Sequence, residues 1–336
     1  MESLHYFDTS HLNKILLLRD GESRLGQYFH LLPPTLPLKD ALLASSAKFV
    51  IFGIPEDIGV RANHGNPGAR SSWEVVRNTL CNFPFSENSN AKDIAVLGHL
   101  NTTPYYNDIS SETDVNQLRQ LTSRLDQAVA ALVAVIISAG KIPIAVGGGH
   151  NNAFGLIKGM SQALGKSVNV ANLDAHTDLR TTEGRHSGNP FRYAFDALVL
   201  DKYAVMGVQE AYTSQPIWDY IKRHLNQILC QTYDQISLRL DHTFEQALQN
   251  TLNFVKEKPF GVELDVDVMA HFPSSAQSSS GFTVGQARRY ITVLGQHENA
   301  QYLHLCEGII SGEDGPYYAK ALALMILDFC KARKPY

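Results

Sequence analysis

Residues 172–180 read NLDAHTDLR, which sets Asp174, His176 and Asp178 two apart directly after an apolar run at 167–172. Two carboxylates and an imidazole at the end of a buried strand are costly unless opposite charge lies among them or the segment is a solvated loop. Two other apolar runs end in the same kind of residue: AVGGGHNN carries His150, and VELDVDV carries Asp265 and Asp267. In extended chain, residues two apart share a face, so 174, 176 and 178 can converge, as can 265 and 267. Four carboxylates meeting in one pocket take up protons or bind cations. With His150 and His176 added, the donors are nitrogen and oxygen without thiolate, a set that favours Mn2+ or another divalent cation of that hardness. Six ligands exceed one tetrahedral site and suit two metals about 3.5–4 Å apart, sharing carboxylates and a bridging water. The run of Gly147, Gly148 and Gly149 could instead cradle phosphate at a helix N-terminus. However, no Lys-Ser or Lys-Thr follows it and the G-x-G-x-x-G spacing is absent. Close backbone approach to a crowded metal site accounts for the glycines.

These residues need strands to carry them. Eight β-branched or apolar runs qualify: 48–54, 93–99, 141–147, 167–173, 202–208, 227–233, 260–266 and 301–307. Most are continuously apolar, as in strands buried on both faces of a parallel sheet. Helical patterns lie between them, the longest at 115–140, where Leu118, Leu121, Leu125, Val129 and Leu132 recur at helical spacing and Gly140 is the stop. Others are 153–164, 244–257, 283–296 and 317–333. Strand and helix in alternation predict an α/β domain, whose ligand site lies beyond the carboxyl ends of the strands. Stretches 61–73 and 269–282 read as loops at such ends. Residues 1–46 are expected to form a polar, proline-containing leader packed on or flanking the domain, and 47–336 a single domain that carries the candidate site.

A formal charge of −4 gives no global attraction to nucleic acid or an anionic membrane. Cys81, Cys230, Cys306 and Cys330 are widely spaced without a C-x-x-C pair, as reduced thiols of a cytoplasmic protein are. The start MESLHYFDTSHLNK lacks a secretory pattern, and the longest apolar stretch, 128–140, is too short to span a bilayer.

GGGH at 147–150, DAHTD at 174–178 and DVD at 265–267, in this order, resemble the arginase and agmatinase superfamily of ureohydrolases. GIPEDIGVRANHGNPGAR at 53–70 looks like that family's glycine-rich segment after its first strand, and SGNPF at 187–191 like its substrate loop. The resemblance implies a three-layer α-β-α sandwich with an eight-stranded, mostly parallel sheet. It also implies two Mn2+ per chain, held by His150, Asp174, His176, Asp178, Asp265 and Asp267. The metals would make hydroxide available near neutral pH to attack a carbon bearing two or three nitrogens. Homo-oligomers are usual in the family.

The loop DLRTTEGRHSGNPFRYA differs from the arginase pattern: Arg180 stands where arginases keep an asparagine, and Arg185 and Arg192 follow. Arginines offer bidentate partners to carboxylates, which suits a substrate with two of them. This loop, the segment 263–290 and GGGH in place of G-G-D-H are similar to the formimidoylglutamase branch. The implied reaction is hydrolysis of N-formimidoyl-L-glutamate to L-glutamate and formamide, in histidine degradation. Arg180, Asn189 and Arg192 would bind substrate, Glu307 would face the amidine carbon, and His186, one place earlier than its arginase counterpart, would serve as proton donor. Alternatives are hydrolysis of a guanidino acid, agmatine or arginine with release of urea, and a non-catalytic relative. An unrelated two-metal phosphoesterase fits the order of the strand ends poorly.

Overall fold

Each of the eight apolar runs is a strand in the structure, a computed structural model that describes residues 4–110 and 112–333. The outermost residues of the leader and of the expected domain, 1–3 and 334–336, lie outside the described residues. In chain order the strands are β1 (Leu4–Tyr6), β2 (His30–Leu31), β3 (Phe49–Gly53), β4 (Ile94–Leu100), β5 (Ile142–Val146), β6 (Val168–Leu173), β7 (Leu200–Val208), β8 (Ile228–Thr232), β9 (Phe260–Asp265) and β10 (Ala300–Cys306). They form one sheet in the order β1-β4-β3-β5-β10-β9-β6-β7-β8, with β2 also on β4. The eight expected strands, β3 to β10, are parallel throughout. The sheet has ten strands rather than eight because the leader adds β2 in parallel and β1 antiparallel to β4. At two and three residues, neither is long enough to show a period in sequence.

Successive side chains leave the sheet on opposite faces. Phe49 and Ile51 join the core formed with helices Ser72–Cys81, Phe244–Val255, Val284–Gly295 and Gly315–Ala332. Val50 and Phe52 face the opposite core, formed with Leu38–Ala44, Val115–Ser138 and Asn152–Leu164. Two helical layers thus enclose the sheet, which explains why its strands read as unbroken apolar runs. Helix Val115–Ser138 begins at a capping box, in which Asp114 Oδ1 accepts from Gln117 N (2.8 Å) and Gln117 Oε1 accepts from Asp114 N (2.8 Å). It ends where Gly140 takes a left-handed φ of +73°. Its length and apolarity match those of a membrane span, but Leu125, Val129, Leu132, Val133 and Ile136 are buried in the core. The four cysteines are free thiols.

Candidate metal centre

Three strands at the middle of the sheet, β5, β9 and β6, deliver the candidate ligands from their carboxyl ends, and β10, between β5 and β9, delivers Glu307. His150 follows β5, Asp174, His176 and Asp178 follow β6, and Asp265 closes β9. The convergence does not use extended chain. Asp174 Oδ1 accepts from His176 N (2.6 Å), Asp178 has a φ of +50°, and Asp267 lies in the 3-10 turn Val266–Val268, its N donating to Asp265 Oδ1 (3.0 Å). Each carboxylate at a strand end thus turns its own backbone, because leaving the sheet frees N–H groups that need an acceptor.

Two clusters result. His150 Nδ1 lies 3.1 Å from Asp174 Oδ2, 2.9 Å from Asp178 Oδ2 and 3.3 Å from Asp265 Oδ2. His176 Nδ1 lies 2.9 Å from Asp267 Oδ2 and 3.7 Å from Asp174 Oδ1. Asp174 therefore belongs to both, one oxygen in each. Burial pushes the Asp178 carboxyl up to about 6, and the Asp174 charge adds to it. Burial, then Asp267 and Asp174, raise Asp265 well above the usual range. Burial opposes a charge on His176, but Asp267, Asp174 and Asp178 outweigh it and lift the imidazole to about 11. Mutual repulsion of this kind is relieved by cations or by protons. Among the described residues neither ring nitrogen of the buried His150 has a hydrogen-bond partner, and the donors are carboxylate and imidazole, so the residues fit a pair of hard divalent ions.

The glycine run has a different cause from the one expected. Gly147 and Gly148 have φ of +86° and +78°, and a Cβ on Gly148 would lie 2.3 Å from Asn152 Nδ2 and 2.9 Å from Glu56 Oε1. The crowding comes from Ser72 at Gly147, from Asn152 and Glu56 at Gly148, and from Asn151 and Val60 at Gly149, not from the candidate ligands. The fully buried Glu56 carboxylate accepts from the backbone of Gly149, Ile58 and Gly59 and from the side chains of Asn151 and Asn152. An acidic side chain of the protein thereby occupies amides that a phosphate would need.

A cavity of about 360 Å³ opens on the clusters, lined by His176, Asp178, Asp265, Asp267 and Glu307, with Arg180, Asn63, Ser187, Tyr212, Ser214 and Ser275 around them. Loops 61–73 and 269–282 thus contribute to its wall. Glu307 has a φ of +64°, a costly conformation for a side chain of that length. Its Oε1 accepts from His150 N (2.7 Å) and its Oε2 from the Ser275 hydroxyl. Burial pushes its carboxyl up to about 7 against those two hydrogen bonds. Tyr212, which sequence reasoning missed, stacks on His176 with ring centroids 5.4 Å apart.

Arg180 is exposed at the cavity and donates to Asn63 Oδ1 (2.9 Å). The other candidate residues of the loop, Asn189, Arg192 and His186, do not line the cavity. Asn189 is wholly buried, accepting from His186 N and Arg185 Nη1 and donating to Thr181 O and Gly184 O. Arg192 turns away on helix Pro190–Asp196, its guanidinium carbon 3.9 Å from the ring centre of Tyr220. His186 is buried inside the loop, where its Nδ1 accepts from Gly188 N (3.1 Å) and its Nε2 lies 3.2 Å from Glu183 Oε1. Burial pulls its imidazole down to about 4, with Glu183 opposing. Arg185 is buried against Asp126. Asn189, Arg185 and His186 fix the shape of the loop.

A parallel α/β sandwich with this carboxylate and imidazole cluster at its central strand ends defines an arginase fold, and the arginase family profile matches residues 47–307. The chain belongs to the arginase family. Among relatives, a formimidoylglutamase of Streptococcus pyogenes serotype M3 is 32% identical over 199 residues, covering 56% of this chain and 56% of that protein. The match thus spans little more than half the length of this curated relative. Among solved structures, formiminoglutamase of Trypanosoma cruzi with Mn2+ superimposes with a TM-score of 0.71 at 19% identity, covering 94% of this chain and 100% of that one. Formimidoylglutamase of Bacillus subtilis gives 0.70 at 18%, covering 95% of each.

Proposed function

We propose that the protein hydrolyses a linear amidine bearing carboxylates, namely N-formimidoyl-L-glutamate, to L-glutamate and formamide, as a step of histidine degradation. Two Mn2+ would be held by His150, Asp174, Asp178 and Asp265 on one side and by Asp174, His176 and Asp267 on the other. Bound there, they would supply Lewis acidity and make water a nucleophile near neutral pH. The observation that carries the reading is the sharing of Asp174 between two clusters at the floor of a cavity that also holds Glu307 and Arg180. The Mn2+ named for the Trypanosoma cruzi neighbour and the activity named for the Streptococcus pyogenes relative agree with it.

In this reading Glu307, held by His150 N and Ser275, orients the cationic amidine carbon over the metal floor. Arg180 takes a substrate carboxylate, its guanidinium steadied by Asn63. Asn189 acts indirectly, holding the loop that presents Arg180, and Arg192 packs that loop's helix on Tyr220. The same reading has residues 47–336 acting as one catalytic domain flanked by 1–46, in a cytoplasmic homo-oligomer. A substrate panel with Mn2+-loaded protein tests it. Formamide and glutamate from N-formimidoyl-L-glutamate are expected, whereas urea from arginine, agmatine or a guanidino acid, or no turnover of any amidine, would overturn it.

A further inference from the structure

Behind the candidate ligands lies a second buried polar layer that metal binding does not use. Glu263, Tyr302 and His304 are each fully buried. Their proximity follows from the register of two parallel strands: Glu263 on β9 is paired with His304 on β10, and Tyr302 with Gly261. A Cβ at Gly261 would lie 2.1 Å from Tyr302 Cζ, so glycine there lets the tyrosine ring cross β9 and reach the next side chain on that face. Tyr302 OH donates to Glu263 Oε1 (2.6 Å), and His304 Nδ1 lies 2.6 Å from Glu263 Oε2. The carboxylate is thereby held on both oxygens.

A buried carboxylate with such partners is expensive, and apolar residues of equal volume would fill the same space at no loss of stability. The direction in which Glu263 points supplies a reason for it. His150 turns Nδ1 toward Asp174, Asp178 and Asp265, and an imidazole offering the Nδ1 lone pair carries its proton on Nε2. That nitrogen is buried without a hydrogen bond, and Glu263 Oε2 lies 3.6 Å from it. The distance exceeds a hydrogen bond, but a fixed negative charge there favours Nε2–H over the other tautomer. His304 and Cys306 complete the group behind the ring.

We infer that Glu263, clamped by His304 and Tyr302, is a positioning residue that fixes the tautomer and orientation of the His150 ring, and so sets the metal affinity of the cluster containing His150 but not of the cluster containing His176. The inference rests on the two-metal reading above. Calorimetric titration of the metal-stripped full chain with Mn2+ tests it, alongside E263Q, H304N and Y302F and the thermal midpoint of each metal-free protein. Two equivalents are expected in the parent. In E263Q one of them should weaken roughly 10- to 100-fold while the other stays within about threefold, and H304N and Y302F should weaken the same one by less. Parent-like binding of both ions by folded E263Q and H304N would overturn the inference and leave the two-metal reading standing. Equal weakening of both sites, together with a lower metal-free midpoint, would reduce Glu263 to a structural support and also overturn it. A third equivalent in the parent that E263Q loses would make His150 Nε2 a ligand, against the inference. A parent that binds no Mn2+ would remove the two-metal reading and this one with it.

Discussion

Arg185 and Asp126 form a buried ion pair, Nε to Oδ2 at 2.9 Å, that ties the loop after β6 to helix Val115–Ser138. The guanidinium also donates to Asn151 O (2.8 Å), next to His150, so one side chain joins the loop after β6 to the turn that carries a candidate ligand. Asp126→Ala leaves an unpaired cation in the core and should cost about 3–5 kcal/mol in urea unfolding. The double variant D126A/R185A should cost less than the sum of its single changes by about 1 kcal/mol or more. Strict additivity would show that the pair is not coupled.

Because Asp174 gives one oxygen to each cluster, its loss should, on the proposed two-metal reading, affect both ions. Asp174→Asn should retain less than one Mn2+ per chain after dialysis, whereas His176→Ala should keep the ion held by His150. Two retained equivalents in D174N would contradict the shared role.

Arg180 donates to Asn63 at the cavity mouth and, among the described residues, forms no ion pair with any of the six candidate ligands. Losing one charge-assisted partner of a carboxylate is worth about 1.5–3 kcal/mol, so Arg180→Ala should raise KM for N-formimidoyl-L-glutamate about 10- to 100-fold with unchanged Mn2+ stoichiometry. An unchanged KM, or metal lost in parallel, would remove Arg180 from substrate recognition.

Gly261 is tested by overpacking. Gly261→Ala puts a methyl group into the ring of Tyr302 and should cost at least about 1–3 kcal/mol. A parent-like unfolding midpoint would show that the two strands part without penalty.

His99 on β4 meets His5 on β1 with ring centroids 5.0 Å apart. Burial, then the charges of His5, Arg77 and His11, hold the His99 imidazole down at about 4, against 6.5 ordinarily. Between these values the unfolded chain binds a proton that the folded chain refuses. The stability present above about 6.5 therefore falls as pH falls toward about 4. His99→Gln should shrink the difference between urea midpoints measured near neutral pH and in the acid part of that window, and an undiminished difference would exclude His99 as its source.

What could be read in the sequence follows from what burial does to a pattern. Strands β3 to β10 were legible because helices on both faces make most of them continuously apolar, and the six candidate ligands because each stands at or just beyond the end of such a run. Glu263 was not. In VELDVDV it reads as another acidic residue near a strand end, and its partner His304 is supplied by strand register rather than by nearby sequence. The position of Arg192 was not legible because a loop motif hides the start of a helix: Pro190 opens Pro190–Asp196, and Arg192 lies against Tyr220. Glu56 gave no signal, since its donors lie in separate turns.

The candidate ligands and Glu307 stand on four adjacent strands, whereas Arg180, Tyr212, Ser214 and Ser275 come from connecting loops. Strand ends are locked by their ladders, while loops accept insertion and replacement. On the proposed reading, reactivity and discrimination are written on separable lengths of chain. A lineage can therefore exchange one amidine for another by rewriting its loops, and a protein engineer can do the same without reopening the core.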